Sequence, residues 1–249
     1  MGPRRVSGVV CRLRAGRVAR QLSGRRGGYA RSVPAAAAAA ATVASGQRLL
    51  RYDRRLGVRL VAGADEAGRG SLAGPLVCAA VLFDYAALRD QRVRSLAALN
   101  DSKQLARAER ERLFGAIVAA ASAIAVQIVP AAQIDRAGLH RSNLDGLRRC
   151  LATLAPPAGV CLVDGFRLGP DAPVHRAVID GDTKSAAIAA ASIVAKVTRD
   201  RLMVRLAAQY PQYGFARHVG YITRAHEAAV REHGPCPEHR LSFAAACYR

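Results

Sequence analysis

From Gly57 onward, short β-branched and apolar runs stop at carboxylates and alternate with segments of helical period, an order that leaves few folds open. Val58–Ala64 reads as a strand ending at Asp65 and Leu76–Phe83 as the next, with the glycine-rich Gly68–Gly74 as the turn between them. Ala106–Ala121 carries helical spacing, Ile124–Val129 returns to strand character, and Leu144–Leu154 is helical again. Val160–Val163 is a short buried strand ending at Asp164, and Val174–Ile179 a further strand running into Asp180-Gly181-Asp182. Ser185–Ala208 is a long helix, nearly apolar in its first half. First strands joined by a tight turn and later ones through helices imply an α/β fold, a mixed central β-sheet flanked by helices with a helical C-terminal portion.

Half of the 249 residues are hydrophobic (51 %), enough for a sizeable core, which excludes disorder of the whole chain. The longest uncharged apolar runs, Gly115–Pro130 and Ser185–Ala195, fall short of the roughly 18 to 20 residues that cross a bilayer, so a soluble chain is expected. Lys and Arg number 38 against 18 acids, for a formal net charge of +20. Residues 1–52 hold eleven arginines and no acid, which leaves +9 on the rest. A basic body suits a polyanion such as nucleic acid; GC-rich codon usage is the competing source of the excess.

The low-complexity stretch 1–52, Arg, Gly and Ser followed by Ala35–Ala41, is expected to lie outside the fold. It reads as a disordered basic extension or the product of an upstream start codon, with an organelle transit peptide as the other reading. The folded body is placed at 53–249. Six cysteines without a CxxC pair read as reduced thiols of a cytoplasmic protein. His226, His233, Cys236 and His239 lie close in sequence, but their spacing fits no usual zinc pattern and Pro235 and Pro237 stiffen the segment, so no zinc is expected.

Asp65, Glu66, Asp164 and Asp182 fall at strand ends and a strand-to-helix turn, where ligands of α/β sheets sit. Each alone is most simply a solvated turn acid. Brought together, they would repel one another unless divalent cations held them, and Mg²⁺ and Mn²⁺ prefer such oxygen ligands. Directly after the first pair, the turn Gly68-Arg69-Gly70 lets backbone groups approach a ligand, although such turns are common in loops. Asp101-Ser102-Lys103, ahead of a helix, offers a hydroxyl, an ammonium and a helix N-terminus to phosphate, or is an ordinary helix start. Lys196 and Arg199 share a face of the long helix and either meet phosphate or form its solvated side.

Gly63-Ala64-Asp65-Glu66-Ala67-Gly68-Arg69-Gly70 with Ala73-Gly74-Pro75 resembles the opening motif of the ribonuclease HII family, the bacterial type 2 ribonucleases H. The resemblance continues through Asn100–Leu105, Val163-Asp164-Gly165, Gly181-Asp182, Ala189–Asp200, Tyr210-Pro211, His218-Val219-Gly220-Tyr221 and His239-Arg240-Leu241-Ser242-Phe243, covering about 57 to 249 in order. It implies a ribonuclease H-like fold and endonucleolytic cutting of RNA paired with DNA, including 5′ of lone ribonucleotides in duplex DNA, with 3′-hydroxyl and 5′-phosphate products. It also implies Mn²⁺ or Mg²⁺, two ions in the catalytic complex, on the catalytic ligands Asp65, Glu66, Asp164 and Asp182; Asp182 is chosen over Asp180 because the motif is Gly-Asp before the long helix. Gly68, Arg69, Gly70, Ser102, Lys103, Lys196, Arg199 and Tyr221 are the implied substrate contacts. The expected partner is nucleic acid, with no membrane, for a monomer. Val219 replaces a common Lys and Glu238 a usually apolar residue. Non-catalytic nucleic-acid binding and a DNA-only metal nuclease on the same fold are the alternatives; the intact carboxylates oppose the first, and Gly68-Arg69-Gly70 with Tyr221 opposes the second.

Overall fold

The computed structural model describes residues 10–14, 35–103 and 105–248. Strands β2 (Leu60–Ala67), β3 (Leu76–Asp84) and β4 (Ala123–Val129) pair antiparallel in succession. On the other edge of β2, β5 (Val160–Asp164) and β6 (His175–Val178) run parallel to it. With β1 (Val10–Arg14) antiparallel on β4, the order across the sheet is β1-β4-β3-β2-β5-β6. Because β2 and β5 run the same way, Asp65, Glu66 and Asp164 emerge at one edge of the sheet.

The helices are α1 (Ala35–Arg54), α2 (Asp90–Ser95), α3 (Arg107–Ala120), α4 (Ala131–Ala137), α5 (Leu139–Leu154), α6 (Ala186–Gln209), α7 (Phe215–His218) and α8 (Arg224–His233). The first half of α6 is buried all round, which is why it shows no polar stripe in sequence. Its alanines let it lie close on β2: a Cβ at Gly63 would stand 2.2 Å from the Ala187 carbonyl carbon. With α1 and α3 it buries Val61, Val77, Val81 and Phe83 on one face of the sheet. On the other face, α5 covers Ala62, Ala64, Leu76 and Ala80. A smaller core of Leu72, Met203, Tyr213, Phe215 and Val230 holds the helical C-terminal portion.

Two sequence expectations are corrected. The stretch 1–52 is not wholly outside the fold, since Val10–Arg14 pairs with β4 and Leu49 and Leu50 are 1 % exposed in the main core. The Ala35–Ala41 run opens α1, and it is the later turns of that helix that supply the apolar side chains. The strand expected to end at Asp65 runs on to Ala67, so Asp65 and Glu66 are strand residues pointing to opposite faces. Of the four residues His226, His233, Cys236 and His239, for which no zinc is expected, His226 and His239 bond each other at 3.1 Å between their Nε2 atoms.

Candidate active site

The strand alternation of β2 decides which element supports each carboxylate. Asp65 turns to the α6 face, where the Ser192 hydroxyl favours its charged form, and its Oδ1 accepts the Glu66 amide at 2.7 Å. Glu66 turns to the α5 face, beside buried Asn143 and 3.3 Å from the Arg69 guanidinium. Asp164, at the end of β5, accepts the Gly181 amide at 2.7 Å, which ties the next carboxylate-bearing turn to this edge. That turn, the 3₁₀ segment Gly181–Thr183, carries Asp182 and begins at Asp180 in the left-handed conformation (φ 50°). Asp180 caps the turn through its carbonyl, while Asp182 is buried at the site.

Burial pushes the Asp65 carboxyl well above the usual carboxylate range, and the charges of Glu66 and Asp164 add to it. Glu66 is raised by burial against the opposing pull of Arg69 and Asn143. Asp182 is raised by burial and by Asp164 and Asp101, with Lys103 acting the other way from 3.9 Å. Asp164 thus repels all three others, so the four are electrostatic neighbours. The donor set is all oxygen and over-charged, the chemistry that a hard divalent cation satisfies. Among the described residues, as they are placed, no three His, Cys, Asp or Glu side chains stand close enough together to hold a metal ion.

The expected substrate contacts divide. Gly68, Arg69 and Gly70 follow β2 directly, with Arg69 and Gly70 exposed. Gly68 (φ 94°) turns the chain where a Cβ would meet Arg199 Nε at 2.0 Å. This segment is hydrogen-bonded to the Tyr221 loop, Leu72 and Ala73 both donating to the Gly220 carbonyl. Tyr221 is 38 % exposed, with Lys196 Nζ 5.2 Å and Arg199 Cζ 5.6 Å from its ring centroid. Lys103 is exposed over Asp182, and Lys196 bonds Asp200 at 2.8 Å.

Ser102 and Arg199 do not stand where direct contact needs them. Ser102 is buried with its hydroxyl 2.9 Å from that of Ser192, so it reaches Asp65 through Ser192. Nor does α3 start there: the Lys103 amide is taken by Asp101 at 2.8 Å, and the helix begins at Arg107. Arg199 is fully buried, its three donor nitrogens on the carbonyls of Pro75, Val219 and Ala73. Sequence reasoning missed Ser192, Asn143 and Arg240. Ser192 is a single polar residue inside an apolar helical run, a pattern that marks a polar partner in the core, whereas Asn143 lies among Arg141, Ser142 and Asp145 and carries no such signal.

Sheet order and helix placement are those of the ribonuclease H class of nucleases. The structure matches the crystal structure of ribonuclease H2 from Pyrococcus horikoshii OT3 with TM-score 0.63 and 27% identity, over 76% of this chain and 95% of that one. It shares its fold with Bst-RNase HIII in complex with Mn²⁺, at TM-score 0.56 and 21% identity over 79% and 70% of the two chains. A family model, Ribonuclease HII, matches residues 62–246. The Ribonuclease HII of Salinispora tropica is 54% identical over 191 residues, 76% of this chain and 68% of that protein. The chain belongs to the ribonuclease HII family, and so is a ribonuclease H hydrolase, an endonuclease of RNA–DNA hybrids in a divalent-metal-dependent family.

Proposed function

We propose that this chain, besides cutting the RNA strand of hybrids, nicks duplex DNA on the 5′ side of a single embedded ribonucleotide, leaving 3′-hydroxyl and 5′-phosphate ends. The observation that carries this reading is the direct continuation of the Asp65-Glu66 strand into the Gly68-Arg69-Gly70 turn, exposed at Arg69 and Gly70, with Leu72 and Ala73 just after it bonded to the Gly220 carbonyl of the Tyr221 loop. Chemistry and sugar recognition are thereby built on one piece of backbone. Asp65, Glu66, Asp164 and Asp182 would hold Mn²⁺ or Mg²⁺, two ions in the catalytic complex. When bound, such ions neutralise phosphodiester charge and lower the pKa of water.

The protein's own groups do the rest. Lys103, exposed over Asp182, meets a phosphate that enters the site. Ser102 and Ser192 fix Asp65, and Asn143 and Arg69 fix Glu66. The Gly68-Arg69-Gly70 backbone reads the 2′-hydroxyl, which alone separates RNA from DNA at one sugar. Tyr221 stacks beside the following deoxyribose. The protein acts as a cytoplasmic monomer, in removal of ribonucleotides from DNA.

One duplex made with and without a single ribonucleotide tests this. In Mn²⁺ or Mg²⁺ only the ribonucleotide-containing duplex should be nicked, on the 5′ side of the ribonucleotide. Equal cutting of both would mark a DNA nuclease, and cutting of neither, with binding retained, would refute nicking at single ribonucleotides.

A further inference from the structure

Arg199 of α6 and Arg240, which follows α8, stand behind the Gly68-Arg69-Gly70 turn with no solvent exposure. Among the described residues neither makes an ion pair, and their hydrogen bonds all end on backbone carbonyls. Arg199 donates to Pro75 at 2.9 Å, to Ala73 at 3.0 Å and to Val219 at 2.8 Å. Arg240 donates to Gly74 from Nε at 3.0 Å and Nη2 at 2.9 Å, and to Arg69 from Nη1 at 2.9 Å. Burial pulls the Arg240 pKa down to about 9 and that of Arg199 below its ordinary value. Apolar residues of similar volume would fill the space without that desolvation, so what the arginines add is the planar fork of donors.

The Arg69 carbonyl is the informative acceptor. A trans peptide is planar, with its C=O and N–H on opposite sides. Drawing the Arg69 oxygen inward to Arg240 therefore turns the Gly70 N–H outward, where Gly70 is exposed and no described residue accepts it. On the inner side Gly68 is packed against Arg199, so the turn cannot settle inward. Arg199 also links Ala73 and Pro75 to Val219, two residues before Tyr221, and so sets the distance between turn and tyrosine.

We propose that Arg240 and Arg199 are positioning residues for ribose recognition, Arg240 presenting the Gly70 N–H to the sugar hydroxyl and Arg199 fixing the turn against Tyr221. This rests on the reading under Proposed function. The test measures, in an Asp164→Asn background that does not cleave and at one salt concentration, the affinity for a duplex with one ribonucleotide and for the same duplex in all-deoxy form. Arg240→Lys keeps the charge and loses the fork; the affinity ratio should fall about tenfold, with the all-deoxy affinity nearly unchanged. An unchanged ratio, or equal loss on both duplexes with a lowered melting temperature, would overturn the proposal. Should Arg240→Lys not fold, ¹⁵N-glycine labelling of the parent decides. The Gly70 amide resonance should move downfield with the ribonucleotide duplex and not with the all-deoxy one, and an amide indifferent to both refutes the presentation of its N–H. A parent without any affinity difference would instead refute the underlying reading of the turn.

Discussion

The Asp53 carboxylate, on the last turn of α1, accepts the Ala187 amide at 2.9 Å and the Tyr85 hydroxyl at 2.8 Å. A side chain at the edge of the basic N-terminal stretch thus caps the first turn of α6, the helix that follows Asp182 and carries Ser192. Burial raises Asp53 to about 6, so the contact is a hydrogen-bonded junction in a dry place.

Truncation to Gly57 should therefore destabilise the protein rather than merely shorten it. Leu50→Ala should lose about 2–5 kcal/mol by opening a cavity in the main core. Asp53→Ala should lose about 1–3 kcal/mol by leaving the Ala187 amide and Tyr85 hydroxyl without their acceptor. Urea unfolding checks both; a chain starting at Gly57 with full stability would contradict the role of α1.

Asp65→Asn should leave the metal-free protein at least as stable as wild type at pH 7–8. A carboxyl whose folded pKa is raised contributes most below its unfolded pKa and loses that contribution as pH rises through the folded value, so at neutral pH the charge is a burden. Mn²⁺ should then raise the melting temperature of wild type more than that of the variant. Thermal unfolding with and without Mn²⁺ reads this, and a metal-free variant that melts well below wild type would make Asp65 a structural residue.

Tyr221→Ala should depress cleavage at a single embedded ribonucleotide more than cleavage of a continuous RNA strand on DNA, because only the first presents a deoxyribose beyond the cut sugar. The exposed ring and its two flanking cations predict little change in melting temperature. Equal loss on both substrates with a lowered melting temperature would make it a packing residue.

The buried histidine pair predicts acid sensitivity. His239 Nδ1 accepts the Cys236 amide at 2.9 Å, which puts the proton on its Nε2 for donation to His226, whose Nδ1 donates to the Tyr221 carbonyl. Burial and the neighbouring His226 lower His239 to about 4. A base with a depressed folded pKa contributes stability present above its unfolded value of 6.5 and lost as pH falls toward about 4. Melting temperature should drop between pH 7 and pH 5, and less so in His239→Gln. Equal drops in the two proteins would show that His239 does not set the acid sensitivity.

What the sequence disclosed followed the two structural periods. β2 through β6 and the long helix lie within a few residues of their expected spans because β-branched runs and glycine turns are local signals. The carboxylates were legible because strand ends on one edge converge by topology. Leu49, Leu50 and Asp53 were not, since their burial depends on α6 lying above them, and an arginine-rich, alanine-rich stretch carries no period of its own. Arg199 was misread for a related reason: a charged residue on a helix looks solvated until the fold brings carbonyls to meet it. Ser102 likewise turned inward because Ser192, far off in sequence, offered it a partner.

The most direct measurement compares wild type and Asp164→Asn in cleaving an RNA–DNA hybrid in Mn²⁺, with hybrid affinity and melting temperature recorded beside it. Cleavage should fall by more than about a hundredfold, beyond what a residue outside the metal shell commonly causes, with binding and melting temperature retained. Cleavage within a few-fold of wild type would contradict the assignment of this carboxylate cluster as the site of the chemistry.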